Sequence, residues 1–135
     1  NHAGQVSFPG GHVEPGDRTP EEAALRETEE EIGLDRRHVT LLGRLDEYVT
    51  RTGFKVTPVV SVVDPPFDLD PDAAEVETVF EVPLAFLLDP ANHQRSSRMV
   101  KGRRRSYYAM SWDGHDIWGA TAGMVINLYQ FLTRP

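Results

Sequence analysis

The chain has 135 residues, 39% hydrophobic and 9% aromatic, a formal net charge of -7 and no cysteine. Those values describe a globular protein with room for a single domain, and they exclude a disordered chain. Without cysteine there is no disulfide scaffold, thiolate metal site or cysteine nucleophile, and no apolar run approaches the roughly 20 residues of a bilayer span.

The chain opens on a Gly- and Pro-rich loop, with Ser7-Phe8-Pro9-Gly10-Gly11 leading through Glu14-Pro15-Gly16-Asp17. Thr19-Pro20-Glu21-Glu22 then announces a helix: Thr19 caps it, Pro20 sits where a missing N–H costs nothing, and Glu22 completes a capping box. The helix should run to about Ile32, with Gly33 as its stop. Residues 39–49 and 54–63, rich in Val, Leu and Thr around Thr52-Gly53, read as a hairpin. A Pro- and Asp-rich loop fills 64–72, a further strand is expected over 75–82, and a short helix should open at Pro83. Strands near 96–100 and 104–112 flank Lys101-Gly102-Arg103, and Asp113-Gly114 is a tight turn. A final helix over 120–132 would turn Met124, Leu128, Phe131 and Leu132 to the core. Strands mixed with two principal helices predict an α/β layered domain with a mixed sheet and no second domain.

The chemistry concentrates on the first helix. Successive helical residues turn by about 100°, so taking Glu27 as zero puts Glu30 at about −60° and Glu31 at about +40°. Three carboxylates therefore share one face, while Leu25, Thr28 and Ile32 fall on another. Like charges at these spacings repel, and hard divalent cations such as Mg²⁺ or Mn²⁺ offset that repulsion through carboxylate oxygens. Arg26, four residues before Glu30, is placed to hold it. A solvated acidic helix face would also explain this segment alone. The preceding Gly10-Gly11 shifts the balance, because a turn without side chains lets backbone groups approach a metal or phosphate. Later in the chain, Arg95, Arg98, Lys101, Arg103, Arg104 and Arg105 form a basic stretch. It suits either an anionic substrate or a solvated hairpin. The net negative charge argues against broad nucleic-acid binding.

The segment from Gly11 to Leu34 resembles the Nudix box. Gly11 is followed after five residues by Asp17, then after eight by Arg26-Glu27, with Glu30-Glu31, Gly33 and Leu34 in register. Asp17 replaces a glutamate of the pattern, Thr28 stands at an apolar position, and the spacer is one residue longer than usual. That longer spacer is a feature of the coenzyme A diphosphatase branch. His2 to Gly11 resembles the second half of the motif marking that branch. Gly53 to Val60, Glu75 to Leu84 and Ile117 to Ala122 resemble its later segments.

The resemblance implies a Nudix-type α/β/α sandwich with its first strand or strands lying before this chain. It implies a metal-dependent hydrolase that cuts coenzyme A into 4′-phosphopantetheine and adenosine 3′,5′-bisphosphate, with Mg²⁺ or Mn²⁺ as cofactor. Glu27 and Glu31 are then the principal metal ligands, the Gly11 carbonyl an extra one, and Glu30 a ligand or base oriented by Arg26. Gly10, Gly11, Arg103, Arg105 and Glu75 are the expected substrate contacts, the two arginines for the 3′-phosphate. Glu75 or Glu77 is also a candidate distant acid or base. His2 is a candidate for positioning substrate, while Tyr107, Tyr108 and Trp112 either stack on adenine or belong to the core. A small-molecule substrate, a cytoplasmic location, no membrane or nucleic-acid partner and room for a homodimer complete the expectation. The competing readings are a Nudix hydrolase of ADP-ribose, NADH or a nucleoside triphosphate, and a silent binding module with the same fold.

Overall fold

The computed structural model describes residues 4–135, so His2 lies outside the described residues. The chain forms two compact units, one of residues 8–49 and 54–80, the other of residues 4–7, 50–53 and 81–135.

In the first unit the opening helix, α1, spans Pro20–Ile32. Extended Thr19 accepts the Glu22 N–H at 3.2 Å, and Pro20 occupies the first turn. The expected capping box closes one residue early: the Glu22 carboxylate takes the Arg18 N–H at 2.8 Å, not that of Thr19. Gly33 ends the helix in the left-handed region, φ 69°, and donates to the Glu29 carbonyl. Ala23 and Leu34 are buried. The hairpin consists of β1 (Val39–Arg44) paired with β4 (Val59–Val63), continued by β2 (Tyr48–Val49) paired with β3 (Lys55–Val56). The register shifts between Leu41 and Gly43, and α1 packs against β4.

The strand expected over 75–82 is absent among the described residues. Its start is a turn instead: Glu75 and Val76 donate to the Asp72 carbonyl, and the Asp72 side chain accepts from Ala74. Upstream, Asp70 and Asp72 give their N–H groups to the carbonyls of Ile32 and Glu31. These bonds satisfy the open C-terminal carbonyls of α1, and they commit the segment to the helix end rather than to a ladder.

In the second unit α2 (Leu84–Leu87) follows Pro83 as expected. Strands β5 (Gln94–Val100), β6 (Arg103–Trp112) and β7 (His115–Trp118) then form an antiparallel meander. Both turns use two consecutive positive-φ residues, Lys101-Gly102 and Asp113-Gly114, whose twist matches the flanking strands. Every pairing among the described residues is antiparallel, and the α/β class stands. The last helix, α3, spans Gly119–Leu132. Its core face is not the expected one: Thr121, Ala122, Val125 and Ile126 are buried, whereas Phe131 and Leu132 are more than half exposed. The helix is apolar on most sides, so periodicity alone left its rotation open. The rotation is set by Ala122 and Val125 packing on Met110 and Ile117, and by the Thr121 hydroxyl donating to the Val6 carbonyl at 2.9 Å. No helix among the described residues is long and apolar enough to cross a membrane.

Two stability measurements check this packing by urea unfolding. A Cβ at Gly33 would sit 2.7 Å from the Asp70 backbone N in a left-handed conformation, so Gly33→Ala should cost about 2 kcal/mol or more. Gly16→Ala meets nothing within 4 Å and should be nearly neutral. In α3, Ile126→Ala should cost about 2–4 kcal/mol, while Phe131→Ala stays within about 0.5 kcal/mol.

Candidate active site

Six glutamates lie on α1; Glu22 serves the N-terminal cap, and the other five fall into two groups. Peripheral ones have private cationic partners. Glu21 takes both guanidinium contacts of Arg44, at 2.6 and 2.8 Å, and its carboxyl falls to about 2 as a result. Glu29 pairs with Arg36 at 2.6 Å and is likewise held below the ordinary glutamate range.

The central group shares one cation. Arg26 Nε and one terminal nitrogen grip both oxygens of Asp17, at 3.0 and 2.9 Å. The other terminal nitrogen donates to Glu27 at 2.8 Å and Glu30 at 3.2 Å, with Glu14 at 3.5 Å. A further bond reaches the His12 carbonyl at 3.1 Å. Asp17 in turn accepts the Glu14 N–H at 2.7 Å, closing the loop on itself. The Arg26 hydrogen bond holds the Asp17 carboxyl below its ordinary value, and Asp17, ahead of Glu27, raises Arg26. Asp17 and the His12 carbonyl were not assigned roles from sequence. The Asp17 position within the box pattern was the available signal.

Glu31 stands on the other side of this cluster without an arginine. Its Oε2 accepts the Gly10 N–H at 3.0 Å. Burial pushes the Glu31 carboxyl up, the Gly10 bond pulls against that, and repulsion from Glu27, Glu75 and Glu30 adds to the rise. Glu75, expected on a strand, therefore acts on Glu31 from the turn after Asp72. Gly11 lies directly against Glu27: a Cβ there would be 2.6 Å from the carboxylate carbon. Gly10 cannot offer its N–H to a phosphate while Glu31 holds it.

Glu27 Oε2 and Glu31 Oε1 have no hydrogen bond to a described residue, which leaves hard oxygen donors beside the Gly10-Gly11 backbone. No group of three or more His, Asp or Glu side chains among the described residues is gathered as a ready coordination shell. The donor set nonetheless suits Mg²⁺ or Mn²⁺ in its chemistry: carboxylates, a nearby carbonyl, and uncompensated negative charge.

Arg103 and Arg105 lie on β6 in the other unit, both exposed, and Glu77 is exposed in the loop after the 73–75 turn. Tyr108 and Trp112 pack on the Met110–Ile117 core, as the core reading expected; Tyr107 instead meets Trp118 edge-on at 5.9 Å.

Residues 1–102 match the NUDIX domain family. A Photorhabdus laumondii protein described as uncharacterized Nudix hydrolase NudL is 37% identical over 130 residues, covering 96% of this chain and 70% of its own length. A NudL protein of Klebsiella pneumoniae is 37% identical over 135 residues, covering 99% of this chain and 70% of that protein. That of Escherichia coli K12 is 36% identical over 127 residues, or 94% of this chain and 66% of its own. With its carboxylate helix and Gly-Gly loop inside a match covering most of its length, the chain belongs to the Nudix family.

Proposed function

We propose that this Nudix pyrophosphohydrolase cleaves the diphosphate bond of coenzyme A or its derivatives, yielding 4′-phosphopantetheine and adenosine 3′,5′-bisphosphate. One observation carries the chemistry: Glu27 and Glu31 lie against Gly10-Gly11, and Glu30 shares with Glu27 the one cation, Arg26, that pairs with this group. The choice of coenzyme A rests on the likeness of the residues before the box and on the spacer of eight residues between Asp17 and Arg26. The family match, residues 1–102, takes in parts of both compact units, and we read the chain as one domain.

Glu27 and Glu31 would hold Mg²⁺ or Mn²⁺, with the Gly11 carbonyl as a further donor. When bound, the ion neutralises diphosphate charge and makes water a better nucleophile. Arg26 fixes the Glu27 and Glu30 carboxylates and acts on the reaction through them. Glu30 is the more exposed of the two, its side chain 59% accessible. It either joins the ligand set or takes the proton as water oxygen bonds to phosphorus and the bridging P–O bond breaks. Glu31, its carboxyl raised by burial, would be favoured in its charged form by an added positive charge. Glu75 bounds the same acidic patch, which makes it a candidate substrate contact. Arg103 and Arg105 supply cations for the 3′-phosphate, since guanidinium groups pair with phosphate bidentately.

The test is incubation with coenzyme A and Mg²⁺ or Mn²⁺, with ADP-ribose and NADH in parallel and products separated by chromatography. Metal-dependent release of the two named products is expected. Glu31→Gln should lower turnover roughly a hundredfold or more while circular dichroism is unchanged. Cleavage of ADP-ribose or NADH alone would discard coenzyme A, and wild-type turnover by Glu31→Gln would discard the site.

A further inference from the structure

The outer face of the β5–β6–β7 meander gathers aromatic rings and cations, and none of those cations has a carboxylate at ion-pair distance among the described residues. Residues opposite one another in an antiparallel ladder share a face. The register pairs Arg98 with Arg105, Val100 with Arg103, Ser96 with Tyr107, and Ala109 with both Gln94 and Trp118. Met110 and Ile117, the core pair, point the other way, so this row is the outer one. Arg104 belongs to the inner set and donates to Ser97 Oγ at 3.0 Å. Arg95, also of the inner set, stacks on Tyr108 at 4.8 Å. Neither is free to turn outward without losing that contact.

Arg98 and Arg105 are thus directly opposed like charges, an arrangement that destabilises a sheet. Among the described residues, Arg98, Arg103 and Arg105 have no carboxylate within ion-pair distance, although Arg26, Arg36, Arg37 and Arg44 each do. Beside them, Arg98 lies 5.4 Å over the Trp118 ring, and Tyr107 meets Trp118 edge-on at 5.9 Å. Asp116, the acid of the same row, is occupied by the Ser111 hydroxyl at 2.8 Å. Folding stability gains nothing from this pairing of arginines, whereas an incoming phosphate would offset it and an aromatic base would extend the ring cluster.

We propose that this face binds a phosphorylated nucleoside, with Arg98 and Arg105 gripping a phosphate, Arg103 beside them, and the Trp118–Tyr107 pair against the base. The ligand is a mononucleotide and not a polynucleotide, because a net charge of -7 repels an extended phosphate backbone. A paired-arginine clamp beside a ring cluster fits an adenosine bisphosphate, with the clamp on the second phosphate. Arg98 and Trp118 join Arg103 and Arg105 in reading that ligand.

The experiment is calorimetric titration of the full chain with adenosine 3′,5′-bisphosphate, 5′-AMP and a short single-stranded oligonucleotide. Wild-type protein should bind the bisphosphate at least about tenfold more tightly than 5′-AMP, and Arg98→Gln/Arg105→Gln should erase that preference. Arg104→Gln, altered on the inner face, should keep it. The double variant should not melt earlier than wild type, since it removes an unfavourable pair. No bisphosphate binding, an equal loss in Arg104→Gln, or tighter binding of the oligonucleotide would overturn the site. Bisphosphate binding that depends on Arg98 and Arg105, in a protein that does not cleave coenzyme A, would uphold the site and sink the proposed reaction.

Discussion

Four acidic side chains of the first unit, Glu14, Asp17, Glu27 and Glu30, are arranged around a single guanidinium, and Glu31 adds its charge to theirs without a cation of its own. Arg26 makes short bonds to three of them and to a backbone carbonyl, and so ties the Gly-rich loop to the helix that follows. One positive charge cannot balance that number of carboxylates. The excess is local, because Glu21 and Glu29 on the same helix are neutralised by Arg44 and Arg36 away from the cluster. A surface that only needed solubility would gain nothing from sorting its charges in this way. Burial is the main cause of the rise of the Glu31 carboxyl, and repulsion from Glu27, Glu75 and Glu30 adds to it.

The close approach of the loop depends on the absence of side chains. Glu27 occupies the space that a Cβ on Gly11 would take, and Gly33 permits the return of the chain onto the α1 terminus. Asp70 and Asp72 use that return to satisfy the helix carbonyls, and the same segment brings Glu75 within electrostatic reach of Glu31. The end of the helix and the acidity of its face are therefore linked through one loop.

Much of this was legible in the residues because the signals were local. Thr19-Pro20 and Gly33 fixed both ends of α1, and helical spacing put Glu27, Glu30 and Glu31 together. The turns at Lys101-Gly102 and Asp113-Gly114 marked the meander, although β7 was not expected. What failed was set by partners distant in sequence. The 75–82 segment reads as a strand by composition but begins as a turn, held to the end of α1 by the bonds of Asp70 and Asp72. The rotation of α3 is decided by Met110 and Ile117, which its own apolar pattern does not encode. Asp17 looked like a departure from a pattern, and only its two bonds to Arg26 reveal what its shorter side chain does.

The account stands on the claim that the unbalanced carboxylates beside Gly11 are a divalent-cation site. Titration of Mn²⁺ into the full chain by calorimetry, with paramagnetic resonance to count the bound ion, tests it without any substrate. Wild-type protein should bind Mn²⁺, and Glu27→Gln/Glu31→Gln should weaken binding at least about tenfold with the fold intact. Unchanged Mn²⁺ affinity in that double variant, or no binding by the wild type, would contradict the account.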